Sequence, residues 1–184
     1  MDKEALRPGE TESSDHDEWE EDGASWSARS PARWWGWAAF LLSLAGFGDS
    51  LYLTIEHFSG GVLNCPDTGI INCFKVTQSP QSEVFGVFPV ALLGLLFFTA
   101  LVAINVPVTW RLDGRVGRSA VYGRLALAVS GMGMVLYLIY TELVTIKAIC
   151  LYCTGVHAVT FLLFVLVVAT FPTMTSALGP KSEV

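Results

Sequence analysis

The stretch AICLYCTGVHAVTFLLFVLVVATF, residues 148–171, decides the fold, because it is apolar over 24 residues and begins with a pair of cysteines. About 20 apolar residues of helix cross the hydrocarbon core of a bilayer, so this stretch predicts a transmembrane helix. Residues 35–55, 85–106 and 125–141 have the same apolar character. The sequence therefore predicts an all-α integral membrane protein, a bundle of four transmembrane helices with a cysteine-bearing outer loop between the first two.

Charged residues divide the chain into a membrane domain and two tails. Only 15% of the 184 residues are charged, whereas a soluble domain has about 25%. Residues 1–22 hold ten Asp or Glu against two basic residues, so they lack the basic start of a signal peptide. We expect a disordered acidic cytoplasmic tail over residues 1–33. The four-helix membrane domain is expected over 34–174 and a second cytoplasmic tail over 175–184.

The positions of lysine and arginine predict the orientation of the helices, because loops that remain in the cytoplasm are enriched in both. Seven basic residues fall near or between the predicted helices on one side: Arg29, Arg33, Arg111, Arg115, Arg118, Arg124 and Lys181. Lys75 and Lys147 fall on the other side. This pattern predicts a multi-pass protein of the cell (inner) membrane with both termini in the cytoplasm. All four cysteines then lie at the extracytoplasmic side, where disulfides persist in bacteria.

Cys150 and Cys153 form a C-x-x-C motif at the predicted start of the last helix. Unpaired backbone N–H groups and the positive end of the helix dipole favour a thiolate there, and a thiolate is the species that attacks disulfides. The i, i+3 spacing places both sulfurs on one face of the helix. The pair is therefore a candidate redox site. The alternative is two buried cysteines that pack as small apolar residues.

Cys65 and Cys73 lie in the loop predicted between the first two helices, separated by seven residues that include Pro66, Gly69 and Asn72. These residue types favour the turns that a closed loop of this length needs. Two cysteine pairs and no odd cysteine suggest a relay that passes electrons from thiols to an acceptor dissolved in the membrane. A structural disulfide is the alternative for this pair, and a zinc site built from all four cysteines is another.

Asp49 is the only carboxyl within the predicted spans, and an ionisable residue inside a membrane is a functional candidate because its charged form is costly there. It could supply protons to the acceptor or pair with Tyr52. His157 lies one turn below Cys153 on the same helix face, where it could bond the acceptor or fill the bundle. Four glycines are expected to allow close approach of helices: Gly46, Gly48, Gly131 and Gly133.

Several motifs accompany the two cysteine pairs. In chain order they are Ser50-Leu51-Tyr52-Leu53-Thr54, Lys75-Val76-Thr77-Gln78-Ser79-Pro80-Gln81-Ser82, Phe85-Gly86, Pro89 and Gly94. With these features the chain resembles the bacterial branch of the vitamin K epoxide reductase (VKOR) family over roughly residues 37–171. The DsbB-type quinone oxidoreductases carry the C-x-x-C in the first outer loop instead, so the order of the two pairs favours the VKOR family.

The resemblance implies a membrane thiol:quinone oxidoreductase that supports disulfide bond formation. Cys150 and Cys153 would be the active-site pair that faces the quinone, either menaquinone or ubiquinone. Cys65 and Cys73 would receive electrons from a thioredoxin-fold partner, which attacks Cys65. The freed Cys73 would then attack Cys150, and Cys153 would pass the electrons to the quinone. Five further residues are expected at the quinone: Ser79, Ser82, Phe85, His157 and Asp49.

The length of chain after the last span bears on the expected partner. About a dozen residues follow residue 171, whereas many bacterial members of the VKOR family carry a fused thioredoxin-like domain. The chain therefore resembles the stand-alone form, and a separate DsbA-like protein is the expected partner. No metal and no nucleic acid are expected.

Two other functions remain open on the sequence. A vitamin K or naphthoquinone epoxide reductase is one, although His157 stands where the vertebrate enzymes have a tyrosine, which favours simple quinone reduction. A non-enzymatic membrane scaffold with two static disulfides is the other.

Overall fold

A computed structural model of the protein describes residues 31–60, 65, 68–84, 87–112 and 114–177. Its long helices are α1 (Pro31–Ser59), α3 (Val90–Ile104), α4 (Gly114–Tyr140) and α5 (Leu151–Ala177). A short helix, α2 (Cys73–Thr77), lies between α1 and α3. The remaining elements are 3-10 turns at Pro80–Ser82 and Pro107–Arg111, the antiparallel strands β1 (Glu83–Val84) and β2 (Phe88–Pro89), and a π-helical turn, Thr141–Ile146, that continues α4.

Three of the helical segments are long and apolar enough to cross a membrane: Trp34–Ser59, Gly114–Ile146 and Leu151–Ala177. Helix α3 is also apolar but has 15 residues. At 1.5 Å per residue its helical part covers about 22 Å, less than the roughly 30 Å of a hydrocarbon core. The prediction of a helical membrane protein is confirmed, and the second of the predicted spans is represented by this shorter helix.

Large apolar side chains lie exposed along the outer faces of these helices. Examples are Leu41, Leu96, Leu136 and Phe161, each more than half exposed. Surfaces of this kind are expected where lipid replaces water as the surrounding medium. The buried core lies between the helices and includes Ala39, Phe98, Leu101, Leu163 and Leu166.

Glycines decide how closely two of the helix pairs approach. A Cβ added at Gly46 on α1 would collide with the ring of Phe98 on α3, and one at Gly131 on α4 would collide with the ring of Phe97. Gly48 and Gly133 face open space. The prediction of close helix approach is therefore right for Gly46 and Gly131 and wrong for Gly48 and Gly133.

Arg124 lies inside a helix, whereas the sequence placed it among the basic residues between the second and third spans. Because α4 begins at Gly114, Arg124 belongs to the third turn of a candidate span and not to the connection before it, and its side chain is only 3% exposed. Its guanidinium lies over the ring of Trp110, with Cζ 4.2 Å from the ring centroid. Such a contact stabilises the cation through the quadrupole of the indole ring.

The hydrogen bonds of Arg124 join α4 to the end of α3. Nε donates to Asn105 Oδ1 at 3.2 Å, and one terminal nitrogen donates to the carbonyl of Ile104 at 2.9 Å and to Thr109 Oγ1 at 2.7 Å. Asn105 Nδ2 in turn donates to Ser43 Oγ on α1 at 3.1 Å. This buried polar network fixes the end of the helix bundle that lies away from the cysteines.

Candidate functional site

A parallel β-bridge between Ile71 and Ile149 joins the loop after α1 to the connection before α5. The N–H of Asn72 donates to the carbonyl of Ile149 at 3.1 Å, and the N–H of Ile149 donates to the carbonyl of Ile70 at 2.9 Å. Because two hydrogen bonds hold the segments side by side, the residues that follow the bridge on each segment also become neighbours. Those residues include Cys73 on one segment and Cys150 on the other.

The loop cysteines form a disulfide, Cys65–Cys73, with 6.1 Å between their Cα atoms. Cys73 is the buried end at 1% exposure, whereas Cys65 is half-buried. The backbone N–H of Leu151 donates to Cys73 Sγ at 3.4 Å, so the disulfide lies against the first residue of α5. The Asn72 side chain caps α2 by accepting from the N–H of Lys75 at 2.8 Å, which fixes the backbone beside Cys73.

Cys150 and Cys153 are free thiols, the first buried and the second half-buried. Cys150 directly precedes α5, and its sulfur accepts a hydrogen bond from the backbone N–H of Cys153 at 3.3 Å. The sulfur thus takes the position that an oxygen takes in an ordinary N-cap. The pKa of Cys150 is lowered, chiefly by its hydrogen bond with the Cys153 side chain. Burial raises this pKa in part, and the backbone N–H groups of the first turn lower it further.

A cavity of about 330 Å³ opens beside Cys153. Its wall is mainly apolar, with contributions from α1, α3, α4 and α5 and from the loop that follows α2. Among the residues predicted to contact a quinone, Ser79, Ser82 and His157 line the cavity. The structure therefore brings one cysteine of the C-x-x-C and three of the expected contact residues to a single pocket. Mainly apolar walls with a few polar groups are typical of sites for small organic molecules.

The two serines are bound within their own loop. Ser79 Oγ donates to the carbonyl of Val76 at 2.8 Å, and Ser82 Oγ donates to the carbonyl of Ser79 at 2.7 Å. These bonds use the single hydroxyl proton of each serine, so toward the cavity each hydroxyl can act only as an acceptor. The two hydrogen bonds therefore stabilise the turn of the loop that lines the cavity.

Asp49 does not join this group of residues. Asp49 is not among the residues that line the cavity. Its carboxylate lies against Gly155 on α5, with Oδ2 2.8 Å from the position of an added Cβ. The predicted contact of Asp49 with a quinone therefore stays a prediction without support from the cavity. Phe85 lies outside the described residues.

Sequence reasoning missed Glu142, His57 and Ser50, all of which line the cavity. Glu142 lies within the candidate span Gly114–Ile146, so the expectation that Asp49 is the only carboxyl within a span is wrong. The apolar pattern indicated an end near residue 141, but the π-helical turn extends the helical segment to Ile146 and turns Glu142 inward. The signal that could have identified Glu142 was its spacing, eight residues before Cys150, at the end of the preceding helix.

No group of three or more His, Cys, Asp or Glu side chains that could hold a metal ion occurs within the described part of the chain. Two of the four cysteines are already joined in the loop disulfide.

A comparison with protein families gives one match. The model of the vitamin K epoxide reductase family matches residues 37–168, which is more than two thirds of the chain and includes both cysteine pairs and the cavity. The chain is therefore a membrane redox protein of the quinone and disulfide kind. It belongs to the vitamin K epoxide reductase family. No curated protein matches the chain.

Proposed function

We propose that the protein is a membrane thiol:quinone oxidoreductase that reoxidises a DsbA-like, thioredoxin-fold protein and passes the electrons to a quinone. The observation that carries the proposal is the continuous path from the loop disulfide to the cavity. Cys73 lies against the start of α5 through the Leu151 N–H, and Cys153, one turn further on, lines the cavity.

The burial of the loop cysteines supports the order of exchange. Cys65 is the more exposed sulfur of the disulfide and Cys73 is buried beside the start of α5. A thiolate of the partner would attack Cys65 and release Cys73 as a thiolate. Cys73 would then attack Cys150 and open the Cys150–Cys153 disulfide. The second thiol of the partner and then Cys65 resolve the mixed disulfides, which leaves the C-x-x-C reduced and the loop disulfide restored.

The cavity fits the ring of a quinone better than a water-soluble acceptor. Its walls are mainly apolar and it opens between helices that face the membrane. Polar side chains at the wall near Cys153 include His157, Glu142 and the loop serines. We propose that Ser79, Ser82, Phe85, His157 and Asp49 contribute to quinone binding, with His157 positioned to bond a carbonyl oxygen. A bound menaquinone or ubiquinone would accept two electrons and two protons.

The proposal includes an arrangement in the membrane. Helix α3, extended by residues on either side, would complete a bundle of four spans, since it packs between α1 and α4. Residues 34–174 would form this domain, flanked by the cytoplasmic tails 1–33 and 175–184. The cysteines would then lie at the extracytoplasmic side of the cell membrane, where a thioredoxin-fold partner can reach Cys65.

The test uses the purified full-length protein in lipid nanodiscs with a reduced DsbA-like protein and a quinone. We expect loss of the partner's thiols in step with loss of quinone absorbance. The variant with both Cys65→Ala and Cys73→Ala should lose oxidation of the partner but retain quinone reduction by a small dithiol. Cysteines that do not turn over would contradict the proposal and favour a scaffold. Reduction of a naphthoquinone epoxide, without reduction of the quinone, would favour the epoxide reductase.

A further inference from the structure

Glu142 is a buried carboxyl that the cysteine relay alone does not explain. Its side chain is 7% exposed. Glu142 is the second residue of the π-helical turn, Thr141–Ile146, between α4 and α5. Its carboxylate lies beside the Cys153 thiol and the backbone N–H of Cys150. It also lines the cavity. Glu142 therefore touches both the reacting sulfur and the space that the electron acceptor would occupy.

The backbone around Glu142 holds this position. The carbonyl of Glu142 accepts hydrogen bonds from the N–H of Lys147 and from that of Ala148, the latter at 3.2 Å. Lys147 adopts the left-handed conformation, with φ at 53°, which is unfavourable for a residue with a Cβ. The chain thus turns back sharply after the π-helical turn, and this turn brings the carboxylate of one helical segment to the first turn of the next.

We infer that Glu142 is the catalytic proton carrier of the site, which takes the proton of the Cys153 thiol and delivers it to an oxygen of the bound quinone. This inference rests on the proposed function. An ionised carboxylate that accepts from a thiol is placed to remove its proton as the sulfur becomes a nucleophile. A carboxyl at the wall of a mainly apolar cavity is also placed to donate that proton to an acceptor inside it.

Protons and electrons balance over one turnover. The Cys150 and Cys153 thiols lose two electrons and two protons as their S–S bond forms. The quinone gains these two electrons and two protons and becomes hydroquinone. The first proton moves from Cys153 Sγ to Glu142 and on to one quinone oxygen. The second leaves Cys150 as the disulfide closes and follows through Glu142 once the carboxylate is free again.

Other titratable groups lie on the elements that pack near Glu142. They come from every element that packs near it: Asp49 and His57 on α1, Lys75 on α2, Lys147 after the π-helical turn, and Cys150, Cys153 and His157 on α5. Asp49 is not among the residues that line the cavity, and both lysines are exposed. Glu142 is the carboxyl that both contacts a sulfur of the C-x-x-C and faces the cavity.

The test separates thiol exchange from quinone reduction. Glu142→Gln keeps the size of the side chain but cannot carry a proton, and Glu142→Asp keeps the carboxyl on a shorter stem. Glu83→Gln, at an exposed residue of β1, is the matched control. Three quantities are measured for each variant: the rate of oxidation of a small dithiol by the protein without quinone, the single-turnover rate of quinone reduction by the reduced protein, and the thiolate absorbance of the C-x-x-C as a function of pH.

We expect Glu142→Gln to slow quinone reduction by about 100-fold or more, the usual share of a general acid–base group. Thiol exchange should change far less, Glu142→Asp should restore part of the rate, and the pH at which the thiolate absorbance appears should shift in Glu142→Gln. Equal loss of both rates, or unchanged quinone reduction, would overturn the assignment. If wild-type protein reduces no quinone at all, the proposed function fails instead, since that result does not depend on Glu142.

Discussion

The backbone N–H of Leu151 lies 3.4 Å from the sulfur of Cys73. This single contact joins the loop disulfide to the first turn of the helix that carries the C-x-x-C, although 78 residues separate the two in sequence. Cys73 and Cys150 belong to the same buried cluster, whereas Cys65 is the more exposed residue of the disulfide. Under the proposed function, this contact would allow the two cysteine pairs to exchange without a large movement of the helices.

The Cys153→Ala variant should accumulate a Cys73–Cys150 disulfide. Without Cys153, the Cys150 thiolate can attack only the loop disulfide, and Cys73 is the neighbouring sulfur. Digestion under non-reducing conditions followed by mass spectrometry identifies the linked peptides. The link should be absent when either Cys65→Ala or Cys73→Ala is added, because neither variant retains a loop disulfide for Cys150 to attack. A Cys65–Cys150 link in the Cys153→Ala variant would contradict the proposed order.

Substitutions of Cys150 should separate its structural role from its redox role. Under the proposed function, both Cys150→Ser and Cys150→Ala should abolish electron transfer. Serine could still accept a hydrogen bond from the Cys153 N–H at the start of α5. We expect the alanine variant to be less stable than the serine variant by about 0.5–2 kcal/mol, the usual cost of losing an N-cap. Thermal unfolding in detergent measures the difference. Equal stability of the two variants would mean that the sulfur does not cap the helix.

The Gly131→Ala variant should weaken quinone binding, whereas Gly133→Ala should not. A Cβ at Gly131 collides with the ring of Phe97, which lines the cavity, while a Cβ at Gly133 meets no atom within 4 Å. Displacement of the ring into the cavity reduces the space for a quinone, and overpacking of this kind typically costs 1–3 kcal/mol. The measurement is the KM for quinone. An unchanged KM in Gly131→Ala would show that the ring moves elsewhere or that the quinone does not bind in this cavity.

Removal of the Arg124 side chain should destabilise the protein without a direct effect on the cysteines. In Arg124→Met the groups that it bonds, at Asn105, Ile104 and Thr109, lose their donor, and each buried group left unsatisfied costs about 1–3 kcal/mol. Arg124→Lys should be intermediate, because lysine lacks the planar fork. Thermal unfolding measures this loss. The exposed Arg115→Met is the control, with an expected change within about 0.5 kcal/mol.

Much of the architecture follows from local sequence. Apolar length identified three of the helices that can cross a membrane, and the last of the predicted spans, 148–171, begins three residues before α5. The family could also be recognised from linear motifs, since these are patterns along the chain. These properties depend on the composition of short segments, which is fully visible in the sequence.

The site itself depended on contacts between distant segments. Periodicity could not show that the Ile71–Ile149 bridge holds Cys73 beside α5, because backbone pairing of two irregular segments leaves no side-chain pattern. The inward position of Glu142 came from a π-helical turn and a left-handed residue, Lys147. The sequence by itself identified the two cysteine pairs and several polar candidates for the site, but not Glu142. Only the tertiary structure decided which of them meet at one cavity, because that depends on how the helix ends and the loop pack together.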